Sequence, residues 1–168
     1  MALVAGIIRI ISAVFDILAA SATSTKKIYI YNGVYNFLLG VQYYLINAIA
    51  GAISSFAAIL RNIIFHKHSG PSSMWALILY LLVVAVINIP AYDGLISILP
   101  IIMVYVYTIA LYKANVMGIK HTVIFTCALE IIYDIYYHSY VGVAVCVINI
   151  IVIIISIIRI KRRQLKTN

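Results

Sequence analysis

Between residues 2 and 159 the sequence is a succession of apolar runs, near 2–21, 28–46, 49–65, 73–90, 95–112, 120–138 and 140–159, separated by short breaks. Each run is close to the roughly 20 residues that a helix needs to cross a hydrocarbon core about 30 Å thick. Lipid offers backbone amides no hydrogen-bond partner, so such a run must satisfy them internally, as a helix, and turns belong at the interfaces. With 65% hydrophobic and 10% charged residues and a mean hydropathy of +1.12, the chain lies outside the range of soluble domains. The expected fold is all-α: a polytopic membrane protein whose 168 residues form a single transmembrane domain. The division between the fourth and fifth runs rests on Pro90-Ala91-Tyr92-Asp93-Gly94, a proline, an acid and a glycine in turn order.

A formal charge of +8 suggests nucleic acid, yet the basic residues form no patch with interleaved aromatics; they sit between apolar runs. Seven crossings put Lys26, Lys27, Arg61, Lys67, Lys113, Lys120 and the segment from Arg159 to Lys166 on one side. The other side, with the N-terminus, Asn47-Ala48, the Asp93 turn and Ser139, holds no Lys or Arg. Cytoplasmic loops carry the excess of Lys and Arg, so the N-terminus is expected outside and the C-terminus in the cytoplasm. Six or eight crossings would mix the two sides. Ala20-Ser21-Ala22 resembles a signal-peptide cleavage site, but no basic segment precedes the first run, and Arg9 and Asp16 fall inside it, so a retained helix is expected. Cys127 and Cys146 have no metal-ligand spacing and read as buried free thiols.

The chain also repeats. Gln42-Tyr43-Tyr44-Leu45-Ile46-Asn47-Ala48-Ile49-Ala50-Gly51 overlies Tyr133-Asp134-Ile135-Tyr136-Tyr137-His138-Ser139-Tyr140-Val141-Gly142 at an offset of 142 − 51 = 91. Each copy is a tyrosine-rich helix end, a tight turn and a glycine opening the next helix. Four runs separate the two copies, so both cross the membrane in the same direction. The economical reading is a three-helix unit over residues 1–65, an inverting linker helix over 73–90, a second, parallel three-helix unit over 95–160, and a basic tail over 161–168.

Several of these residues carry a family resemblance. The run from Lys26 to Phe65, with Gln42-Tyr43, Ala50-Gly51-Ala52 and Leu60-Arg61-Asn62, resembles the YgjV-type bacterial inner-membrane protein family. Ile132-Tyr133-Asp134, Ser139-Tyr140-Val141-Gly142 and Asn149 resemble its second half, so the likeness covers nearly the whole chain. Gln42 and Ser55 stand where that family leads one to expect His and Asn, and any role of those two side chains does not carry over. The resemblance implies a bacterial inner-membrane location and no settled activity. Its 3+1+3 layout is in turn similar to the SWEET and PQ-loop transporters of small polar solutes, although spans one and two lack a proline and only Pro100 marks span five. That second likeness concerns fold, which does not imply function.

The polar residues inside the runs are the candidate site. In LEIIYDIYYHSY (129–140), Glu130, Tyr133, Asp134, Tyr137 and His138 share one stripe of a helix. A carboxylate at bilayer depth costs roughly 2.5–3.5 kcal/mol, so it faces a bundle interior or a wet cavity. Like charges one turn apart favour a shared proton, which makes proton coupling a hypothesis; the alternative is that the acids only bind a basic residue such as Arg9. Tyr29, Asn32, Asn36, Gly40 and Tyr43 form the matching stripe of span two, where amides serve equally as interhelical glue or as a solute site. Gly51, Ser55 and Ala58 align with Gly142, Cys146 and Asn149, a pattern for close packing from which Asn149 still reaches a central cavity. Arg9, Ser12 and Asp16 share a face of span one. His66-x-His68 reads as a solvated turn rather than a metal site, the cationic tail as a lipid contact, and tyrosines at the helix ends, such as Tyr29, Tyr136 and Tyr140, as interfacial belts.

The sequence thus leads to passage of a small polar solute between the two three-helix units, at a site lined by Asn36, Tyr43, Tyr133, Glu130, Asp134 and Asn149. The alternative is a non-transporting scaffold or sensor subunit that holds a protein partner. No catalytic motif, cofactor fingerprint or metal-ligand set is present, so an enzyme is not expected. The partners expected are the lipid bilayer, a small polar solute and a second copy of the chain in a homo-oligomer, not nucleic acid.

Overall fold

The computed structural model describes residues 2–68, 74–92, 94–113 and 116–167, which form seven α-helices and, among those residues, no strand. They are α1 (Ala2–Ser21), α2 (Thr25–Leu45), α3 (Ile49–His68), α4 (Met74–Asn88), α5 (Ile98–Tyr112), α6 (Val116–Tyr136) and α7 (Tyr140–Thr167). Single 3-10 turns at Ile89–Ala91 and Leu95–Ser97 join α4 to α5, where Pro90 cannot extend the helix and Gly94 takes φ 77°. Asp93, expected in this turn, lies outside the described residues, as do the side chains of Lys67 and of His66 and His68. Four segments are long and apolar enough to cross a membrane: Leu3–Ser21, Leu95–Tyr112, Val116–Tyr136 and Tyr140–Ile160. Shorter apolar stretches lie in Ile49–Ile63 and Leu77–Ala91.

Packing follows from an inside-out distribution of side chains. Ile7, Ile10, Ile11, Phe37, Leu60, Ile132, Ile135, Ile151 and Ile155 are exposed, while Arg9, Asp16, Asn32, Asn36, Arg61, Glu130, Asp134 and Asn149 are buried. Contiguous apolar surface on this scale suits a hydrocarbon surrounding, and the polar groups turn inward because lipid cannot solvate them. The helices close a ring in which α1 packs on α2, α2 on α3, α3 on α5, α5 on α6, α6 on α7 and α7 on α1. Outside that ring α4 lies against α3 and α5. Among its described side chains it buries the stripe Leu77, Val84 and Asn88, held by Ser54 Oγ donating to Asn88 Oδ1 at 3.0 Å.

The 91-position offset reappears in the backbone. Ser21 and Tyr112, Thr25 and Val116, Leu45 and Tyr136, and Ile49 and Tyr140 are helix ends related by it. Ala48 N–H donates to Tyr43 O at 2.9 Å and Asn47 N–H to Tyr44 O at 3.2 Å; Ser139 N–H donates to Asp134 O at 2.8 Å and His138 N–H to Ile135 O at 3.1 Å. Both are Schellman closures, which satisfy the last carbonyls of a helix through one left-handed residue. Those residues are Asn47 (φ 60°) and His138 (φ 55°). Asparagine tolerates this region better than histidine does, so His138→Gly should raise stability by about 1 kcal/mol, and Asn47→Gly by much less. Thermal unfolding in detergent reads the difference; equal shifts would contradict it.

Two boundaries differ from the sequence reading. The sixth span ends at Tyr136, so Tyr137 and His138 belong to the turn, and His138 is exposed rather than part of the buried polar stripe. Helix α7 runs on through the basic segment to Thr167 instead of leaving a separate tail. Lys and Arg are good helix formers, and cations at a helix C-terminus complement its dipole.

Candidate functional site

Inside the ring is a cavity of about 110 Å³ whose walls come from α1, α2, α3, α5, α6 and α7. On the side formed by α1, α6 and α7, a charge cluster is centred on Arg9, which is 0% exposed. Its Nη2 donates to Glu130 Oε1 at 2.6 Å and lies 3.6 Å from Asp134 Oδ2. Glu130 Oε1 also accepts from the Tyr35 hydroxyl at 3.0 Å and, at 3.5 Å, from that of Tyr43, which is in electrostatic reach of Asp134 as well. Two turns of α1 further on, Asp16 Oδ2 accepts from Asn149 Nδ2 at 2.7 Å. Arg9, Ser12 and Asp16 therefore do share a buried face, and α6 and α7 connect its two charged residues.

The opposite side, formed by α2, α3 and α5, holds a second cation. Arg61 is buried and donates to Asn62 Oδ1 at 3.2–3.3 Å, to Asn32 Oδ1 at 3.3 Å and to Thr108 Oγ1 at 3.3 Å, with its guanidinium 4.8 Å from the centre of the Tyr107 ring. Asn32 Oδ1 is a shared acceptor, also taking Asn36 Nδ2 at 2.7 Å and Asn62 Nδ2 at 2.9 Å. Arg61, counted from sequence with the cations that close span three on the basic side, is thus buried; the face Ser54, Ala58, Arg61 carries it inward. Lys120, expected to flank a turn, is buried too and donates to the Ala20 carbonyl. Lys26, Lys27, Lys113, Arg159 and Arg162 remain exposed, all at the same end of the ring.

At the other end, the Tyr43 and Tyr133 rings meet edge to face, 5.3 Å between centroids, and the Gly51 N–H donates to the Tyr133 hydroxyl at 2.9 Å. A Cβ at Gly51 would come within 2.9 Å of both rings, which explains the glycine. Of the six residues assigned to the site from sequence, Asn36, Tyr43, Glu130 and Asn149 line the cavity. Tyr133 and Asp134 are buried just outside its lining, Tyr133 over Gly51 and Asp134 against Gly142. Asp16, Tyr35, Arg61 and Tyr107 also form the wall and were not assigned to it from sequence, although the two-turn spacing of Asp16 after Arg9 and of Arg61 after Ser54 was a usable signal. Tyr29, read as interfacial, is buried, whereas Tyr136 and Tyr140 are exposed.

Cys127 and Cys146 are free and buried, as expected. The fold nevertheless brings their sulfurs and a Glu130 oxygen within 4.8 Å of one another, a grouping that no sequence spacing announces. Arg9 occupies this corner, with Nη2 3.5 Å from Cys146 Sγ, and its fixed positive charge opposes a metal cation there.

Residues 3–164 match the model of the Imp-YgjV family, described as bacterial inner membrane protein. No curated protein and no solved structure matches the chain.

Proposed function

The chain belongs to the Imp-YgjV family of bacterial inner membrane proteins, and from that premise we propose that it is a transporter or facilitator of a small polar solute. The observation that carries this reading is the cavity of about 110 Å³ lined by Asp16, Asn36, Glu130, Arg61 and Asn149 inside a ring whose outer surface is apolar. A purely structural bundle gains nothing by leaving a space with charged and amide side chains on its largely apolar wall, because interiors without a ligand pack to crystal density. In this proposal all seven helices cross the membrane, the N-terminus is outside and the C-terminus cytoplasmic. Helices α1–α3 and α5–α7 act as two parallel units with α4 as the linker, and the units rock about the cavity to expose it to either side. The pairing of α1 with α7 and of α3 with α5 supports this, since both are contacts between the two units and the 91-position offset exchanges one for the other. The likeness to the SWEET layout is one of element order.

The test is uptake into proteoliposomes of a panel of labelled solutes of up to about six heavy atoms. For the solute that enters, Glu130→Gln and Asp134→Asn should each lower the rate at least tenfold while the protein stays folded by circular dichroism. Normal rates in both variants would remove these acids from the mechanism, and entry of no solute would remove transport.

One observation favours a second reading, a scaffold or sensor subunit without transport: α7 has 28 residues and carries exposed Arg159 and Arg162 near its end, a cationic helix available to a protein partner. A partner that copurifies with the chain and is lost on removal of residues 161–168, without any solute-dependent rise in melting temperature, would support it.

A further inference from the structure

Charges lining the cavity are left uncompensated in a specific way. Arg9 takes up Glu130 and Asp134, and these are the ion pairs formed among the described residues. Among the described residues, Asp16 therefore has no cation within 4.0 Å, and Arg61 has no carboxylate. Every acceptor around Arg61 is a neutral amide, hydroxyl or ring, and its hydrogen bonds of 3.2–3.3 Å are long beside the roughly 2.7–2.9 Å of a charge-assisted bond. A buried cation without a counter-ion is costly, as is a buried carboxylate with a single neutral donor. Both line the same space without touching each other.

A third observation adds direction. Asn149 spends its amide N–H on Asp16, but its Oδ1 is buried with no donor. Among the described residues, Asp16 consequently has one neutral N–H donor and no ion-paired cation, whereas Arg61 has no acceptor with a negative charge. Asp16 and Tyr107 occupy equivalent positions under the 91-position offset, and the Tyr107 ring lies within electrostatic reach of Asp16 and Arg61 alike. The two deficits therefore open on the same cavity, with Tyr107 as a common neighbour. Lys120 also lines the cavity, beside Ala20, whose carbonyl takes one of its three N–H groups; it forms no ion pair with Asp16.

We propose that the cavity binds a small zwitterion, its ammonium group held by Asp16 and the Asn149 carbonyl oxygen and its carboxylate held by the Arg61 guanidinium. A lone cation would leave Arg61 unmatched, a lone anion would leave Asp16 unmatched, and a neutral solute would match neither. The planar guanidinium fork suits a carboxylate in particular. Size agrees with this class: a cavity of about 150 Å³ holds benzene, so about 110 Å³ takes a molecule on the scale of the smallest amino acids. The inference rests on the solute-site reading of the cavity given above.

The experiment is calorimetric titration of the full chain in detergent with glycine, β-alanine, ethanolamine, glycolate and glycolamide. Glycine or β-alanine should bind at least tenfold more tightly than the amine, the acid or the neutral amide. Equal binding of any of those three probes, or no binding of either zwitterion, overturns the proposal without need of a variant. Arg61→Gln should reduce the zwitterion to the affinity of ethanolamine, and Asp16→Asn to that of glycolate; zwitterion affinity unchanged in either folded variant also overturns it. Glycine that binds but does not enter proteoliposomes would keep the zwitterion site and remove transport. Uptake of a neutral solute by a chain that binds neither zwitterion would keep transport and remove the zwitterion site.

Discussion

Arg9→Leu is expected to destabilise the protein by about 3–5 kcal/mol, the usual cost of removing one partner from a buried ion pair. The side chain is fully buried, and its Nη2 is the common neighbour of Glu130 at 2.6 Å and Asp134 at 3.6 Å. Without it two carboxylates are left at bilayer depth, and their burial rather than the lost attraction dominates the penalty. Unfolding of the detergent-solubilised protein measures the loss. The double variant Arg9→Leu/Glu130→Leu should recover part of it, because one buried acid is then gone. A loss under about 1 kcal/mol would match the median of a solvated surface pair and would mean that the cluster is wet.

Gly142→Ala is the second large effect. A Cβ there would collide with Asp134 Oδ2 and lie 2.7 Å from Asp134 Cγ and 2.8 Å from Ser139 Oγ. Overpacking of this kind costs typically about 1–3 kcal/mol, and Asp134 has a short side chain with one neighbour of opposite charge, so it cannot swing aside without leaving Arg9. The expected result is a fall in melting temperature. Gly33→Ala, whose Cβ would meet nothing within 4 Å, is the matched control; it should be neutral or stabilising, by up to about 1 kcal/mol for alanine in place of a mid-helix glycine. If the two variants melt alike, Asp134 does not sit against the start of α7.

The sequence carried much of this architecture because two local signals were strong. Apolar runs of nearly constant length located every helix, with each end but that of α7 within a few residues, and the tyrosine-turn-glycine copies at Gly51 and Gly142 anticipated the backbone repeat that Asn47 and His138 complete. The end of α6 was missed because a polar stripe has the same period in a helix as in the residues that would prolong it; only the left-handed φ of His138 stops the helix. The polar basic segment after residue 160 was read as tail for a related reason, since loss of hydrophobicity marks the membrane boundary and not the helix boundary.

The site divides in the same manner. Glu130, Asn36 and Asn149 could be found because a polar residue within an apolar run is conspicuous and must face inward. Arg61 and Lys120 sat near run ends, where a cation has an ordinary use in setting orientation, and sequence position did not distinguish that use from burial. What composition and period determined by themselves is an all-helical membrane bundle with its polar residues inside, because hydration and backbone hydrogen bonding act residue by residue. The tertiary structure decided which charges are matched: Arg9 meets Glu130 across 121 positions of chain, Asn149 meets Asp16 across 133, and Arg61 meets no acid among the described residues. Coulombic pairing depends on separations of a few ångströms between distant segments, and that distance exists only once the ring has closed.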